Sequence, residues 1–186
     1  MRRNAITKEQ ILNTAISLAD RNGLKNLALK DIALELGIKT PSLYNHIKGL
    51  EDVYNQMALY GLKMLKEAII NSVAGIAGRD ALYAAARAYR GFASTYPSLY
   101  ESTQWVKAWN EDETKREADD IVEILSKILL PFHLSHHESI HVIRTLRSYL
   151  HGFSSLEINS SFGLDTDIST SFETGLQLII EGIPLP

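Results

Sequence analysis

Apolar side chains recur three and four residues apart along most of this chain, and the pattern divides it into a succession of amphipathic helices. Ile11, Leu12, Ala15, Ile16 and Ala19 form the first apolar stripe. Ahead of it, Thr7-Lys8-Glu9-Gln10 is a capping-box pattern with Thr7 as the cap, and Asn22-Gly23 closes the helix with a left-handed cap. A second stripe, Ile32, Ala33 and Leu36, runs into Gly37, whose permissive backbone suits a sharp turn, and Ile38 fills the corner. Thr40-Pro41 opens a third helix, because the Thr40 hydroxyl can accept an orphan backbone N–H and proline is pre-set for the first helical position. Leu43 and Ile47 are its inward stripe, which spreads Thr40, Ser42, Tyr44, Asn45, His46 and Lys48 over the rest of its surface. Three helices on one small core, the last two joined by a glycine turn, predict a helix-turn-helix domain over residues 1–49.

Residues 50–186 read as a larger helical domain. A long amphipathic segment runs from Glu51 to about Ile76, with Val53, Met57, Leu62, Leu65, Ile69 and Val73 among its apolar positions. The next helix, alanine-rich over 79–96, must stop before Pro97, since proline disfavours helical geometry in the residue ahead. Trp105 and Trp109, four apart, are expected to share a helix face, with 110–114 as a polar junction. Further helices are expected over 117–130, ending at Pro131, over 136–157, and over 168–181. The fold class is therefore all-α, which the 11 glycines and 5 prolines among 186 residues favour.

Composition bounds the function. The chain is 45% hydrophobic, enough for a sizeable core. It has no cysteine, hence no disulfide or thiolate metal site, and no run of about 18 apolar residues that would span a membrane. The basic start Met1-Arg2-Arg3 leads into a polar helix where a signal peptide needs an apolar core, so a cytoplasmic protein is expected. The net charge of -3 hides an asymmetry: residues 1–50 hold eight Lys plus Arg against four Asp plus Glu, a net of +4, and the remainder eleven against eighteen, a net of -7. The positive end is the helix-turn-helix end, which orients it toward a polyanion.

The string Ile32-Ala33, Gly37-Ile38, Thr40-Pro41-Ser42-Leu43-Tyr44-Asn45-His46-Ile47-Lys48 resembles the DNA-binding signature of the tetracycline-repressor (TetR) family of bacterial transcriptional regulators. The resemblance implies that the second helix of the motif enters the major groove, that Tyr44 and His46 hold phosphates, and that residues at its start reach bases. By position it assigns DNA contact to Lys30, Lys39, Thr40, Pro41, Ser42, Tyr44, Asn45, His46 and Lys48. Two positions depart from the pattern: Ala28 stands where a Thr or Ser cap is common, and Leu50 where a phosphate-binding Lys is common. Lys48 or the N-terminal arm is the expected compensation. Arg2 and Arg3 read either as a solvated tail or as an arm reaching a minor groove.

The resemblance extends loosely through the body. Arg147-Ser148-Tyr149-Leu150-His151-Gly152-Phe153 is similar to one subgroup of the family that has a Trp-His-Gly triplet where Leu150-His151-Gly152 stands. Aromatic residues of the body either pack a plain core or line an apolar pocket; the candidate ligand-binding set is Tyr89, Phe92, Trp105, Trp109, Tyr149 and His151. The last two helices carry more apolar surface than one side of a helix pair can bury. Leu150, Phe153, Phe172, Leu176 and Ile179 are therefore assigned to a two-fold homodimer interface. The function expected is a repressing regulator that binds a palindromic double-stranded DNA operator and is released by a small-molecule effector.

A rival chemistry is written into the same chain. His137-Glu138-Ser139-Ile140-His141 satisfies H-E-x-x-H, in which two histidines one turn apart bind zinc and the glutamate activates water, so a zinc-dependent hydrolase is the alternative. Arg144 and Arg147 occupy the spacing where further ligands belong, and Glu157 lies about four turns further along the same helix. No serine, histidine and acid set is ordered by a recognisable elbow, and no glycine-rich phosphate loop is present. The expectation is a binding protein without cofactor or metal, and not an enzyme.

Overall fold

The computed structural model describes residues 6–105, 109 and 112–184 of the chain. Arg2 and Arg3, the expected arm, lie outside the described residues. Among the described residues there are nine α-helices and no strand. They are α1 (Lys8–Asn22), α2 (Leu29–Glu35), α3 (Thr40–Leu43), α4 (Leu50–Val73), α5 (Gly78–Thr95), α6 (Pro97–Gln104), α7 (Asp112–Ile128), α8 (His136–Ile158) and α9 (Ile168–Glu181). The chain divides into two compact units, Met1–Leu62 with Tyr96–Lys115, and Lys63–Thr95 with Arg116–Pro186. The unit that holds residues 1–49 thus also takes in 50–62 and 96–115, and α4 supplies residues to both units.

The first unit is built on α1. Both hydrogen bonds of the Thr7/Gln10 capping box form, at 2.9 and 3.1 Å. The buried face of α1 is Ile11, Ala15, Leu18 and Ala19, while Leu12 and Ile16 are only half-buried. Gly23 has a positive φ, as expected of the residue closing α1. Its ψ of 142° takes it out of the left-handed helical basin, however, toward backbone space that is essentially glycine's alone. A short 3₁₀ turn, Leu24–Asn26, follows. Leu24, Leu27, Ile32, Ala33, Leu43, Ile47, Val53 and Met57 complete the buried apolar set of α2, α3 and the start of α4. α6 lies against α1 and the 3₁₀ turn. Gly61 lets α6 approach α4 closely, since a Cβ there would stand 3.1 Å from the Leu99 carbonyl oxygen.

In the second unit α5, α8 and α9 pack pairwise. The small side chains Ala81, Ala85, Ala86 and Ala93 make α5 thin enough to lie close to Ile143, Leu146 and Leu150 of α8 and Phe172, Leu176 and Ile180 of α9, all buried. Arg87 pairs with Glu173 and Arg90 with Glu157, each through two nitrogen–oxygen contacts of 2.5–2.8 Å. The Arg90 guanidinium also lies over the Phe172 ring, 4.6 Å from its centroid. The hydrogen bonds from these arginines hold the Glu157 and Glu173 carboxyls below the ordinary glutamate value.

Several helix boundaries differ from expectation: α4 ends at Val73 rather than near Ile76, and α7 ends at Ile128 rather than Leu130. α7 begins at Asp112 rather than near Glu117, with Asp112 and Glu113 in its first turn, where acidic side chains favour the positive end of the helix dipole. α6 ends at Gln104, so Trp105 and Trp109 share no helix face: Trp105, at φ -85° and ψ 61°, is the residue that caps α6. The Ser102 and Thr103 hydroxyls donate back to the Leu99 and Tyr100 carbonyls at 2.7 Å, local bonds typical of residues that loosen a helix end.

Candidate nucleic-acid interface

The turn between α2 and α3 is a Schellman cap. The Ile38 N–H reaches the Ala33 carbonyl at 2.9 Å and the Gly37 N–H reaches Leu34 at 3.0 Å, closing the end of α2. This geometry puts Gly37 at φ +65° with open space around it, so backbone conformation rather than crowding calls for glycine. Ala28 caps α2 without any side-chain hydrogen bond, as its methyl group dictates.

α3 is a single turn. Its N-cap is Lys39, not Thr40, and no side chain caps it; Thr40 and Pro41 already lie inside the helix. Beyond Leu43 the chain tightens, with the Asn45 N–H on Ser42 O and the His46 N–H on Leu43 O. These three-residue bonds mark a 3₁₀ turn. Burial of Leu43 (0%) and Ile47 (3%) fixes which way the turn faces. The side chains before and between them are turned out: Pro41, Ser42, Tyr44 and Asn45 are exposed, Thr40 and His46 half-exposed, and Lys30, Lys39 and Lys48 exposed around them. The Lys48 backbone N–H is tied to Asp52 Oδ2 at 2.8 Å, which anchors the exit into α4.

Among the described residues, none of the side chains of Lys30, Lys39, Thr40, Ser42, Tyr44, Asn45, His46 or Lys48 has a hydrogen-bond or ion-pair partner within the chain. In the second unit Lys66, Arg79, Arg87, Arg90 and Lys127 are engaged by carboxylates, while Arg116, Arg144 and Arg147 are exposed. The surface of α2 and α3 brings these unspent donors and positive charges together around one turn, the requirement for meeting phosphates and base edges.

Comparison with known proteins bears on this patch and on the whole chain. Residues 82–179 match the family described as "Tetracyclin repressor-like, C-terminal domain". The uncharacterized HTH-type transcriptional regulator YobS of Bacillus subtilis (strain 168) is 31% identical over 182 residues, covering 97% of this chain and 94% of that protein. The chain belongs to the TetR family. It is a transcriptional regulator of TetR type. Solved structures agree in fold: BioQ with its double-stranded DNA operator superposes with a TM-score of 0.68 at 21% identity, over 96% of this chain and 98% of that one. A TetR variant from Acinetobacter baumannii AYE in complex with minocycline gives 0.72 at 17% identity, over 96% of each.

The other positions named from the sequence fall apart into several settings in the regulator. Tyr89 and Phe92 are buried in the second unit, and Tyr149 donates its hydroxyl to the Phe172 carbonyl at 2.7 Å. His151 is half-buried, and burial, helped by nearby Arg147, pushes its imidazole below the ordinary histidine value. Trp105 and Trp109 belong to the first unit; Trp105 meets Tyr54 edge-on at 5.2 Å, and Trp109 buries its indole N–H with no partner among the described residues. Of the dimer-face positions, Leu150, Phe172 and Leu176 are buried inside the single chain, and Phe153 and Ile179 are half-buried. The solvent side of the same helix pair carries Ser148, Gly152 and Leu156 on α8 and Thr174 and Leu178 on α9.

The H-E-x-x-H string has a different job. Ser135 caps α8 and Glu138 completes the box: Glu138 N–H donates to Ser135 Oγ, and the Ser135 N–H donates to Glu138 Oε2 at 2.8 Å. Those bonds draw the Glu138 carboxyl below its ordinary value. The glutamate that a zinc hydrolase would use to activate water is thus occupied in stopping a helix end. Among the described residues no three His, Cys, Asp or Glu side chains group where they could hold a metal ion. The Ser-x-x-Glu spacing was readable in the sequence and is the signal that identifies this role. The buried Thr114–Asn55 hydrogen bond, at 3.1 Å, had no such signal.

Proposed function

We propose that the regulator binds a palindromic DNA operator as a two-fold homodimer through the surface of α2 and α3, represses there in the cytoplasm, and is released by a small molecule. The unspent donors of Lys30, Lys39, Thr40, Ser42, Tyr44, Asn45, His46 and Lys48 carry this reading. The operator-bound state of BioQ supports it by likeness of fold. Lysine ammonium groups displace counterions from phosphates, so Lys48→Ala weakens all sequences alike and lowers the salt slope by about 1. The test is a gel-shift titration on DNA upstream of the regulator's own gene. Loss of binding by Tyr44→Ala plus Lys48→Ala is expected, and unchanged affinity refutes the docking face.

Dimerisation supports two inverted half-sites, with reading helices about 34 Å apart on one side of the duplex. The solvent-facing apolar side chains Leu156 (47% exposed) and Leu178 (75% exposed), beside Ser148, Gly152 and Thr174, suit a helix pair that meets its own copy closely. Light scattering is expected to return twice the 20.8 kDa chain mass at micromolar concentration, and a monomer refutes this part.

The minocycline complex supports a small-molecule effector by likeness of fold. Tyr89, Phe92, Tyr149 and His151 of the second unit are the side chains proposed to meet it, favouring an apolar or aromatic compound. α4, which belongs to both units, is the proposed path to the DNA surface. Release requires the effector to bind the free form better than the operator-bound form. Tryptophan fluorescence titrated with candidate compounds, alongside operator affinity, tests this: saturable binding that leaves operator affinity unchanged refutes it for that compound.

A further inference from the structure

We infer that each operator half-site is read at two A·T pairs about two base steps apart, an adenine beneath Asn45 and a thymine methyl beneath Pro41. This rests on the DNA-binding reading above and adds the base chemistry it recognises.

The orientation follows from burial. Leu43 and Ile47 define the inward side of the α3 turn. With about 100° per residue in the α turn and about 120° in the 3₁₀ turn that follows, Asn45 lies opposite that side and Pro41 within about a quarter-turn of it, both exposed. Ser42 and Tyr44 stand about a quarter-turn to either side, toward the walls of a groove rather than its floor. Four residues separate Pro41 from Asn45. With a rise between about 1.5 Å (α) and 2.0 Å (3₁₀) per residue they span roughly 6 to 8 Å, or two steps of about 3.4 Å along DNA.

The chemistry at these two positions is restrictive. The Asn45 amide offers one acceptor and two donors and has no partner among the described residues. Its pattern complements the N6 amino group and N7 of adenine, the one base whose major-groove edge pairs a donor with an acceptor in that order. Pro41 has neither donor nor acceptor in its side chain, and the apolar group available on a major-groove floor is the thymine 5-methyl. Guanine, by contrast, is read chiefly by Arg or Lys reaching O6 and N7. Residues 29–49 contain no arginine. Lys39 is the N-cap of α3, and Lys48 follows its last turn with its backbone anchored on Asp52, so neither occupies the outermost position.

The experiment selects duplexes from a randomised DNA library with the full-length wild-type protein, then measures affinity for the selected duplex with single-atom changes. The enriched half-site is expected to hold an adenine and, two steps away, a thymine. Replacing that adenine by 7-deazaadenine is expected to weaken wild-type binding about tenfold and to leave Asn45→Ala binding unaltered. Replacing the thymine by uracil, which removes only the methyl group, weakens the wild type by a smaller factor and leaves Pro41→Ala unaltered. Half-sites with G·C at both positions, or an Asn45→Ala protein that keeps its adenine preference, overturn the inference while leaving DNA binding standing. Failure to enrich any sequence overturns the DNA-binding reading itself, and this inference with it.

Discussion

Gly175 on α9 makes a prediction whose sign can be reversed by a second substitution. A Cβ at this position would stand 2.4 Å from the Tyr149 hydroxyl oxygen and 2.7 Å from two of its ring carbons, where ordinary contact begins near 3.4 Å. The tyrosine cannot simply swing aside. Its hydroxyl is bonded to the Phe172 carbonyl at 2.7 Å, and its ring lies 5.9 Å from Phe172 and 5.8 Å from Phe153. Overpacking of this kind costs about 1–3 kcal/mol, and loss of the Tyr149 hydrogen bond about 1 kcal/mol more. Alanine returns roughly 1 kcal/mol through its better helix propensity. Gly175→Ala is therefore expected to destabilise the protein by about 1–3 kcal/mol, read as a lower urea midpoint at fixed protein concentration. In a Tyr149→Ala background the clash is gone and only the propensity term remains, so the same substitution becomes stabilising by about 0.5–1 kcal/mol. A Gly175→Ala effect of the same sign in both backgrounds would refute the close-contact argument.

Glu157 and Glu173 are held below the 4.5 of an unpaired glutamate by hydrogen bonds from Arg90 and Arg87. A carboxyl depressed in the folded state contributes stability that is complete above its unfolded value and disappears as pH falls through the folded one. Stability should thus decline from about pH 4.5 downward, and Glu157→Gln should flatten that limb in urea titrations across pH 3–6; an unchanged slope counts against the pairing. Ser135→Ala removes the side-chain cap of α8 and is expected to cost about 1 kcal/mol in the same assay, with Glu138→Gln milder because an amide oxygen still accepts. A neutral Ser135→Ala would show that the cap contributes nothing. Gly37→Ala forces a Cβ into left-handed backbone and should cost about 1–2 kcal/mol, whereas Gly37→Asn should cost less; equal losses would mean that something other than φ matters at the turn.

Local chemistry was the readable part of this chain. The Thr7/Gln10 box, the Gly37 turn, the inward pair Leu43 and Ile47 and the bounds of α9 each depend on residues a few positions apart, and each is present. What failed depends on surroundings. Trp105 and Trp109 have helical spacing, but spacing does not say where a helix stops, and α6 stops at Gln104. Apolar residues lie on more than one side of α8 and α9, so periodicity alone does not separate Leu150, Phe172 and Leu176, buried within the chain, from Leu156 and Leu178, left outside. The Arg90–Glu157 pair joins residues 67 apart, and no spacing rule reaches that far. On α3 the exposed side chains are those named from the sequence, whereas exposed Leu34 on α2 was not, and the cap was misplaced, Lys39 standing where Thr40 was expected.

The brevity of α3 bears on how such a protein can change. A one-turn helix has no stability of its own, and the shape of this one is imposed by two buried side chains, Leu43 and Ile47, gripping the core beneath. The residues proposed to meet DNA are in effect a coating over that grip. Exchanging an exposed side chain free of partners costs the fold within about 0.5 kcal/mol either way, so Pro41, Ser42, Tyr44 and Asn45 stand open to substitution while the scaffold stays as it is. Descendants of this chain can drift from one operator to another along a nearly level stability landscape, with the vocabulary of recognition free to vary and its grammar held in two apolar residues.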